Sequence, residues 1–594
     1  MQAQLVLQYT LPEGIDMSIR SVFVTYYSFI LKRKELFGLF LMLAITSNIS
    51  FNLTPYFYKL FVENIPTLNF DFLFRILLIS VSIRFAGVIL DVLAFMVGDV
   101  ILFEGAKNAR LKIFKHVNDL DYSFHTNKST GSLISAFKRG DGAFFSFFHD
   151  IHARGLSVLV GFLVMLYFMI QLNLIIVFIV CISFVLTILA SKFLVANNVN
   201  KRRSFNKEED LISGIVTDNL INFETVKIFA KENWELRRLK QNFKPWTKEL
   251  WTYGNSFRLI DGTMGTIINV SVFFALYSAI NQAVNLRLSI PDFVLVTAFL
   301  SSFYPRLWDL VWSTRDLAKN YADIQKYFEL LEHKIDVPEP AKPQKLELVK
   351  GEIEFRNVNH SYKGGTKNAI VEFNLKIKPG ESVAFVGRSG SGKTTITKLL
   401  MRFFDPNRGT IRIDGIDIKK FTKTNLRSFF GVVPQEAVLF NNTIKFNIAY
   451  GSKKTKSLDK VKLAAKLANI SEFIEKLSKK YQTNVGERGI KLSGGQKQRL
   501  AIARMIMSQP DIIIFDEATS HLDSESEKLI QDAFWNYAKN KTTIIIAHRL
   551  STVSKADRII VLEKGKIVEE GIHKDLLDNG KGLYKHLWGL QLEK

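Results

Sequence analysis

The sequence predicts a membrane α-helical bundle of six spans fused to an α/β P-loop ATPase domain. Three observations carry this. Long uncharged apolar runs crowd the first half of the 594 residues and are missing from the second. A glycine-rich strand-turn-helix motif lies at 382–400, and a later apolar strand ends in two adjacent acids, Asp516 and Glu517. The chain is longer than one packed core takes. With 47% hydrophobic residues it is not intrinsically disordered, and a net charge of +23 at a mean hydropathy of +0.10 suits a membrane protein with basic faces. The lone Cys181 excludes an intrachain disulfide or a cysteine-cluster metal site within one chain, and its apolar neighbours make it a packing residue.

Residues 1–35 form an N-terminal segment. The first long apolar run begins only at Leu36 and is too long for the core of a secretory signal. Glu13 and Asp16, against a single interior arginine, Arg20, do not fit an Arg-rich organelle transit peptide.

The membrane domain is read over 36–330. A spanning helix needs about 20 apolar residues, because a rise of about 1.5 Å per residue must cross about 30 Å of hydrocarbon. Residues 36–58 carry no charge and form the first span; 73–98 form the second, interrupted by Arg84 and Asp91. The uncharged run at 156–191 is too long for one span and is broken by Gln171, Leu172 and Asn173, so it reads as a tight hairpin of spans three and four. Residues 262–286 and 293–317 supply the fifth and sixth. Arg84 and Asp91 fall seven apart on one helical face, and Arg306 and Asp309 three apart; pairing within the bundle and contact with a solute are both open to them.

The connections are unequal. Residues 100–150 and 197–258 are long and basic, with Lys107, Arg110, Lys112, Lys115, Lys201, Arg202, Arg203, Arg237 and Arg238, while the opposite ones are short and nearly free of base. The positive-inside bias puts the long connections, both termini and the C-terminal half on the side of insertion. Since the bases track membrane topology, the expected partner is the lipid bilayer and not nucleic acid. Apolar residues at helical spacing in 218–234 predict that the spanning helices continue beyond the bilayer. Long ordered connections usually have a role. Here 130–139 and 219–231 are expected to touch the C-terminal domain beside Gln435 and Glu487.

Residues 331–349 form a linker, with the stiff stretch PEPAKP at 338–343, and 350–594 form the nucleotide-binding domain. Gly387, Arg388, Ser389, Gly390, Ser391, Gly392, Lys393 and Thr394, followed by Thr395, fit G-x-x-x-x-G-K-[ST] between a strand and a helix. Such a turn lets backbone N–H groups converge on phosphate oxygens, while the lysine adds a point charge and Thr394 a ligand for Mg²⁺. Asp516 fits a carboxylate that organises Mg²⁺, and Glu517 one that polarises the attacking water. Ser493, Gly494, Gly495 and Gln496 offer a hydroxyl and N–H groups at a second helix start, an anion-binding device this chain's own P-loop does not need.

Leu492 to Gln496, LSGGQ, followed by KQRLAIAR, resembles the signature of ATP-binding cassette (ABC) transporters, and the resemblance covers nearly the whole chain. Family features recur in order: Tyr362, Gln435 in VVPQ, VGERG at 485–489, Asp523 at the end of SHLD, and His548 in IIIAHRL. His521 stands where the family usually has a small residue. The resemblance implies ATP and Mg²⁺ as cofactors, adenine stacked on Tyr362, and Mg²⁺ held by Thr394, Gln435 and Asp516. It implies catalysis by Glu517, His548 and Gln435, with Asp523 beside the nucleotide. Ser493 to Gln496 would cap the γ-phosphate held by another subunit, so a second copy of the chain is the implied partner.

Six spans before one cassette resemble the exporter branch. The stretches at 124–140, 220–231 and 432–448 look most like mitochondrial half-transporters that export glutathione-linked sulfur compounds. That likeness implies an integral, multi-pass protein of a mitochondrial-type inner membrane, or that of a reduced mitochondrial organelle, the plasma membrane being the alternative. Where the family's fourth helix carries Arg-x-x-x-Arg, this chain has Asn198 and Arg202, and its fifth helix reads Asp261-Gly262-Thr263-Met264. With Arg306 and Asp309 these are the expected residues of a cavity for a small-molecule substrate. Export of lipids or amphiphilic drugs, and an ATP-gated channel or regulatory subunit, stay open beside export of a glutathione-like solute.

Overall fold

A backbone in hydrocarbon has no water to bond, so every apolar run must satisfy itself as helix. The computed structural model describes all residues except 1–16, 129, 347–348, 363–367, 453–456, 517–523, 547–549, 580–581 and 593–594. Its first half forms α1 (Ile19–Ile30), α2 (Lys34–Asn52), α3 (Thr54–Asn64), α4 (Phe70–Asp119), α5 (Tyr122–Asn127), α6 (Thr130–Phe148), a π-helical turn (His149–Gly155), α7 (Leu156–Leu172), α8 (Leu174–Ile221), α9 (Phe223–Ile228), α10 (Glu232–Val284) and α11 (Ile290–Glu332). Two units result, Met1–Leu120 with His125–Lys334 and Asp121–Phe124 with Ile335–Lys594.

Among the described residues, five helical stretches are long and apolar enough to cross a membrane: Ile19–Thr67, Phe70–Asp119, Leu133–Leu172, Leu174–Ile221 and Glu232–Val284. The sixth expected span lies in α11, a continuous 43-residue helix. Arg306, Asp309, Arg315 and Asp316 make it less apolar than the others. With 50 residues, α4 runs about 75 Å, more than twice the hydrocarbon thickness, so the basic connections are largely helix, as their patterning predicts.

The first span is not the uninterrupted helix read from 36–58. It breaks at Leu53, and Pro55 opens α3, because proline lacks an N–H and its ring clashes with the preceding turn. The hairpin between spans three and four turns at Asn173, whose side chain accepts from the N–H groups of Ile175 (2.8 Å) and Ile176 (3.2 Å) and so caps α8.

Asp91 and Arg306 find partners on a neighbouring helix, while Arg315 and Asp316 pair with each other on α11 at 2.7 Å. Asp91 meets Ser47, and Arg306 donates to Asn52 Oδ1 at 2.6 Å. Both partners lie on α2 and are buried, which spares each charge contact with lipid. Asp309 is exposed.

The helical extension α6 packs on α11 through a backbone approach that only glycine permits: a Cβ at Gly140 would lie 2.3 Å from Tyr327 Cγ. Gly140→Ala is therefore expected to destabilise the protein by about 1–3 kcal/mol, the usual cost of overpacking. Thermal unfolding in detergent checks it, with partial recovery expected on adding Tyr327→Leu.

In the second unit an antiparallel sheet of order β2-β1-β4-β5 joins β1 (Ile353–His360), β2 (Ile370–Ile377), β4 (Arg408–Ile413) and β5 (Ile416–Asp417). The larger sheet, β10-β9-β3-β8-β7-β6, contains β3 (Ser382–Val386), β6 (Phe430–Val433), β7 (Ile512–Asp516), β8 (Thr542–Ile546), β9 (Arg558–Glu563) and β10 (Lys566–Gly571). Every neighbour pair from β9 to β6 is parallel. Strands β3 and β8 are fully buried, hence their unbroken apolar runs. Among them lie α12 (Lys393–Leu400), α13 (Lys423–Arg427), α14 (Ile444–Ala449), α15 (Leu458–Leu467), α16 (Ser471–Lys476), α17 (Gly494–Ser508) and α18 (Ser524–Ala538).

Candidate nucleotide site and membrane cavity

Parallel strands present their carboxyl ends along one edge, where ligands of open α/β sheets collect. Strand β3 runs straight into the glycine loop and α12, Asp516 closes β7, and Gln435 lies two residues beyond β6. The register levels these ends: Phe385 and Asp516 both pair with Ile546 of β8, and Phe515 pairs with Val433 of β6. The order β3-β8-β7-β6 thus brings the P-loop, Asp516 and the Gln435 segment to one edge. Glu517, Asp523 and His548 lie outside the described residues, as do Ser520 and His521.

The loop has the form of a phosphate cradle. Gly387 and Gly392 have φ of +157° and +108°, and a Cβ on either would meet a carbonyl oxygen, Leu562 O at 2.3 Å or Ala369 O at 2.8 Å. Arg388, Ser389 and Gly390 are exposed, so the mouth is open. Lys393 is buried and folds back, donating from Nζ to the carbonyls of Gly387 (2.8 Å) and Arg388 (3.1 Å). Beside it the Ser391 hydroxyl is buried without a hydrogen-bond partner. An orphaned donor beside a lysine whose ammonium reaches back into the glycine loop fits a phosphate group, which would accept from both. Thr394 stands exposed at the start of α12. With Asp516 and Gln435 it would hold Mg²⁺, whose chemistry is to neutralise charge on the phosphates.

Tyr362 flanks this loop. Its hydroxyl bonds Thr395 Oγ1 at 3.0 Å, and its ring meets His360 and Phe404 nearly at right angles, 5.2 and 5.3 Å between centroids. Burial of the ring lowers the His360 pKa, an effect larger than the opposing hydrogen bond with the Asp405 backbone.

Residue Ser493 caps α17 in a reciprocal box: its Oγ accepts from Gln496 N–H at 3.3 Å and its own N–H donates to Gln496 Oε1 at 3.0 Å. This uses a lone pair of the hydroxyl and leaves its proton for another acceptor. Ser493 and Gly494 are exposed and Gly495 is buried. One turn on, buried Gln498 donates to the Gln435 carbonyl at 2.6 Å, and the Arg504 guanidinium donates to Asn447 O (2.9 Å) and Val438 O (3.1 Å). Burial holds the Arg504 pKa below its ordinary value. Helix α17 and the segment after β6 are therefore bound together, an anchoring that no motif marked.

The membrane unit holds a pocket of about 580 Å³ between α8 and α11, lined by apolar side chains such as Ile188, Val195 and Val311 and by Ser191, Lys192, Arg203 and Thr314. None of the five expected cavity residues lines it. Asn198 is fully buried and donates to Ser256 Oγ at 2.7 Å, a bond between α8 and α10, and Arg306 is held by Asn52. Arg202 is half-buried one position from Arg203, Asp261 keeps a buried Oδ1 with no hydrogen-bond partner, and Asp309 is exposed. Lys192 and Arg203 are the cations in the pocket lining, and neither was among the expected residues. Their spacing along α8 with Val195, Ala196 and Val199 was the available signal.

Comparisons with known proteins agree with this layout. A model of the ABC transporter transmembrane region matches residues 37–306, and the ABC transporter model matches 370–520. ATP-binding cassette sub-family B member 6 of Rattus norvegicus is 36% identical over 487 residues, which are 82% of this chain and 58% of that protein. The ATM1-type heavy metal exporter of Novosphingobium aromaticivorans is 33% identical over 512 residues, 86% of this chain and 83% of that one. A solved structure of a bacterial Atm1-family ABC exporter with ATP bound superposes with a TM-score of 0.83 at 31% identity, covering 94% of this chain and 99% of its own. A helical membrane unit joined to a P-loop cassette with its own LSGGQ helix, matched over most of its length by such relatives, means that the chain belongs to the ABC transporter family, among the half-transporter exporters of the Atm1 type.

Proposed function

We propose that two copies of this chain form an ATP-driven exporter of a glutathione-like or sulfur-containing solute, including its heavy-metal conjugates, across a mitochondrial-type inner membrane. One observation carries the solute class: Lys192 and Arg203 border an otherwise largely apolar pocket between α8 and α11. Both cations are exposed at its border; a guanidinium can grip a carboxylate in two-pronged geometry, so such a pocket favours an anionic solute with an apolar or thiol-bearing body. The relative named a heavy metal exporter supports the metal conjugates. The homodimer is supported by the tip formed by α9 and its neighbours, where Leu220, Ile221, Phe223, Ile228 and Phe229 are 64–71% exposed, an apolar patch of the kind partners cover.

The test is ATPase stimulation of the purified protein in nanodiscs by glutathione, its metal conjugates and phospholipids. Charge-assisted bonds contribute about 1.5–3 kcal/mol, so Arg203→Ala should raise the half-stimulating glutathione concentration roughly 10- to 100-fold. A larger effect from Arg202→Ala would return the contact to the position that the family motif marks. The apolar lining keeps a second reading, a lipid or amphiphile exporter; stimulation by lipids and not by thiols would establish it and end the first.

A further inference from the structure

Four residues at Asp121–Phe124, just beyond the 50-residue α4, belong with the cassette unit and are clamped in it. The Asp121 carboxylate is buried, accepts the N–H groups of Asp336 and of Val337 (3.1 Å), and faces Lys423 Nζ at 3.5 Å. The next side chain, Tyr122, lies 5.2 Å from Phe403 and 5.9 Å from Phe404 between ring centroids, with Lys398 Nζ 4.8 Å from its ring. Phe404 is also the ring that meets Tyr362 at 5.3 Å and His360 at 5.5 Å. It therefore stands between Tyr122 and the expected adenine platform. Helix α12 holds both tyrosines from one side, Tyr362 through Thr395 and Tyr122 through Lys398, three residues apart and so on one face.

We propose that Tyr122 is a positioning residue for the adenine base: through Phe404 it fixes the orientation of Tyr362, so that the Asp121–Phe124 segment tunes the affinity for ATP. The proposal rests on Tyr362 being the residue that stacks on adenine. Tyr362 is 37% exposed. Its edge is fixed by Phe404 and His360 and its hydroxyl by Thr395, and a ring already held has less freedom to lose when a base stacks on it. Removing Tyr122 frees one side of Phe404 and with it the Tyr362 ring. Coupling of this kind is reciprocal, so a bound base should in turn hold the segment.

The experiment measures the affinity of the full-length protein in nanodiscs for Mg-ATP and for Mg-tripolyphosphate, which has the phosphates but no base. Tyr362→Ala should weaken ATP and leave tripolyphosphate unchanged; if it weakens neither, the stacking role fails and the proposal with it. Aromatic pairs are worth enough that Tyr122→Leu should weaken ATP roughly 3- to 10-fold at constant tripolyphosphate affinity. Tyr122→Phe should restore it, and the Tyr122→Leu, Tyr362→Ala double variant should be no weaker than Tyr362→Ala. The proposal is overturned if Tyr122→Leu stays within about twofold of the parent for ATP while Tyr362→Ala does not. It is equally overturned if the two losses multiply, or if tripolyphosphate affinity falls with that of ATP, which would mean a loosened P-loop.

Discussion

Purified Glu517→Gln is expected to bind Mg-ATP as the parent does and to turn it over 10²- to 10⁴-fold more slowly, roughly the contribution of one catalytic acid or base. The argument starts from the edge of the sheet. Asp516 ends β7 level with the strand that feeds the P-loop, and Glu517 is the next residue. A carboxylate there can accept the proton of an attacking water; an amide of the same shape cannot. The groups placed to hold the phosphates, Lys393, Ser391 and the glycine turn, would be untouched by the change. Binding and hydrolysis should therefore separate, whereas Lys393→Ala should lose binding itself. Radiolabelled ATP trapping and phosphate release measure the two steps. Turnover close to that of the parent would end the assignment of Glu517, and loss of binding together with turnover would make it a structural acid.

How much of this was legible depends on how local the cause is. The strand, glycine turn and helix at 382–400 are dictated by neighbours in sequence, as is the Asn173 turn, where a polar side chain interrupts an apolar run and caps α8. The Pro55 break was equally local, yet a long uncharged window hid it, because hydropathy does not register a missing N–H. The partners of Asp91 and Arg306 were not legible at all. Pattern along a helix finds residues on one face, but Ser47 and Asn52 come from another helix. Phase separates the expected cavity residues from the pocket lining: successive helix positions differ by about 100°, so Arg202 faces elsewhere than Arg203, which lines the pocket. No motif marked Asp121–Phe124, ahead of α6, as part of the cassette unit. Tyrosine among phenylalanines signals burial, and it cannot say which aromatic cluster receives it.

Co-expressed Lys393→Ala and Ser493→Arg chains, carrying different tags and purified through both, should trap ATP at one site per dimer, while either variant alone traps little. The P-loop and the α17 cap both present helix N-termini, the kind of place that suits an anion, and each is exposed at its mouth. In the capping box the Ser493 hydroxyl accepts from Gln496 and keeps its proton free to donate, so it can close on a phosphate brought by a second copy. In the mixed dimer one site combines both lesions. The other combines an intact Lys393 from one chain with an intact Ser493 from its partner. Ser493→Arg also removes the cap, a loss of about 0.5–2 kcal/mol that leaves the fold standing and that thermal unfolding would register separately. Mixed dimers that trap no more ATP than either variant alone would show that each site is built within one chain, and failure to recover any doubly tagged dimer would remove the homodimer itself. Recovery of one site requires that the cap act in trans, which no arrangement with self-contained sites reproduces.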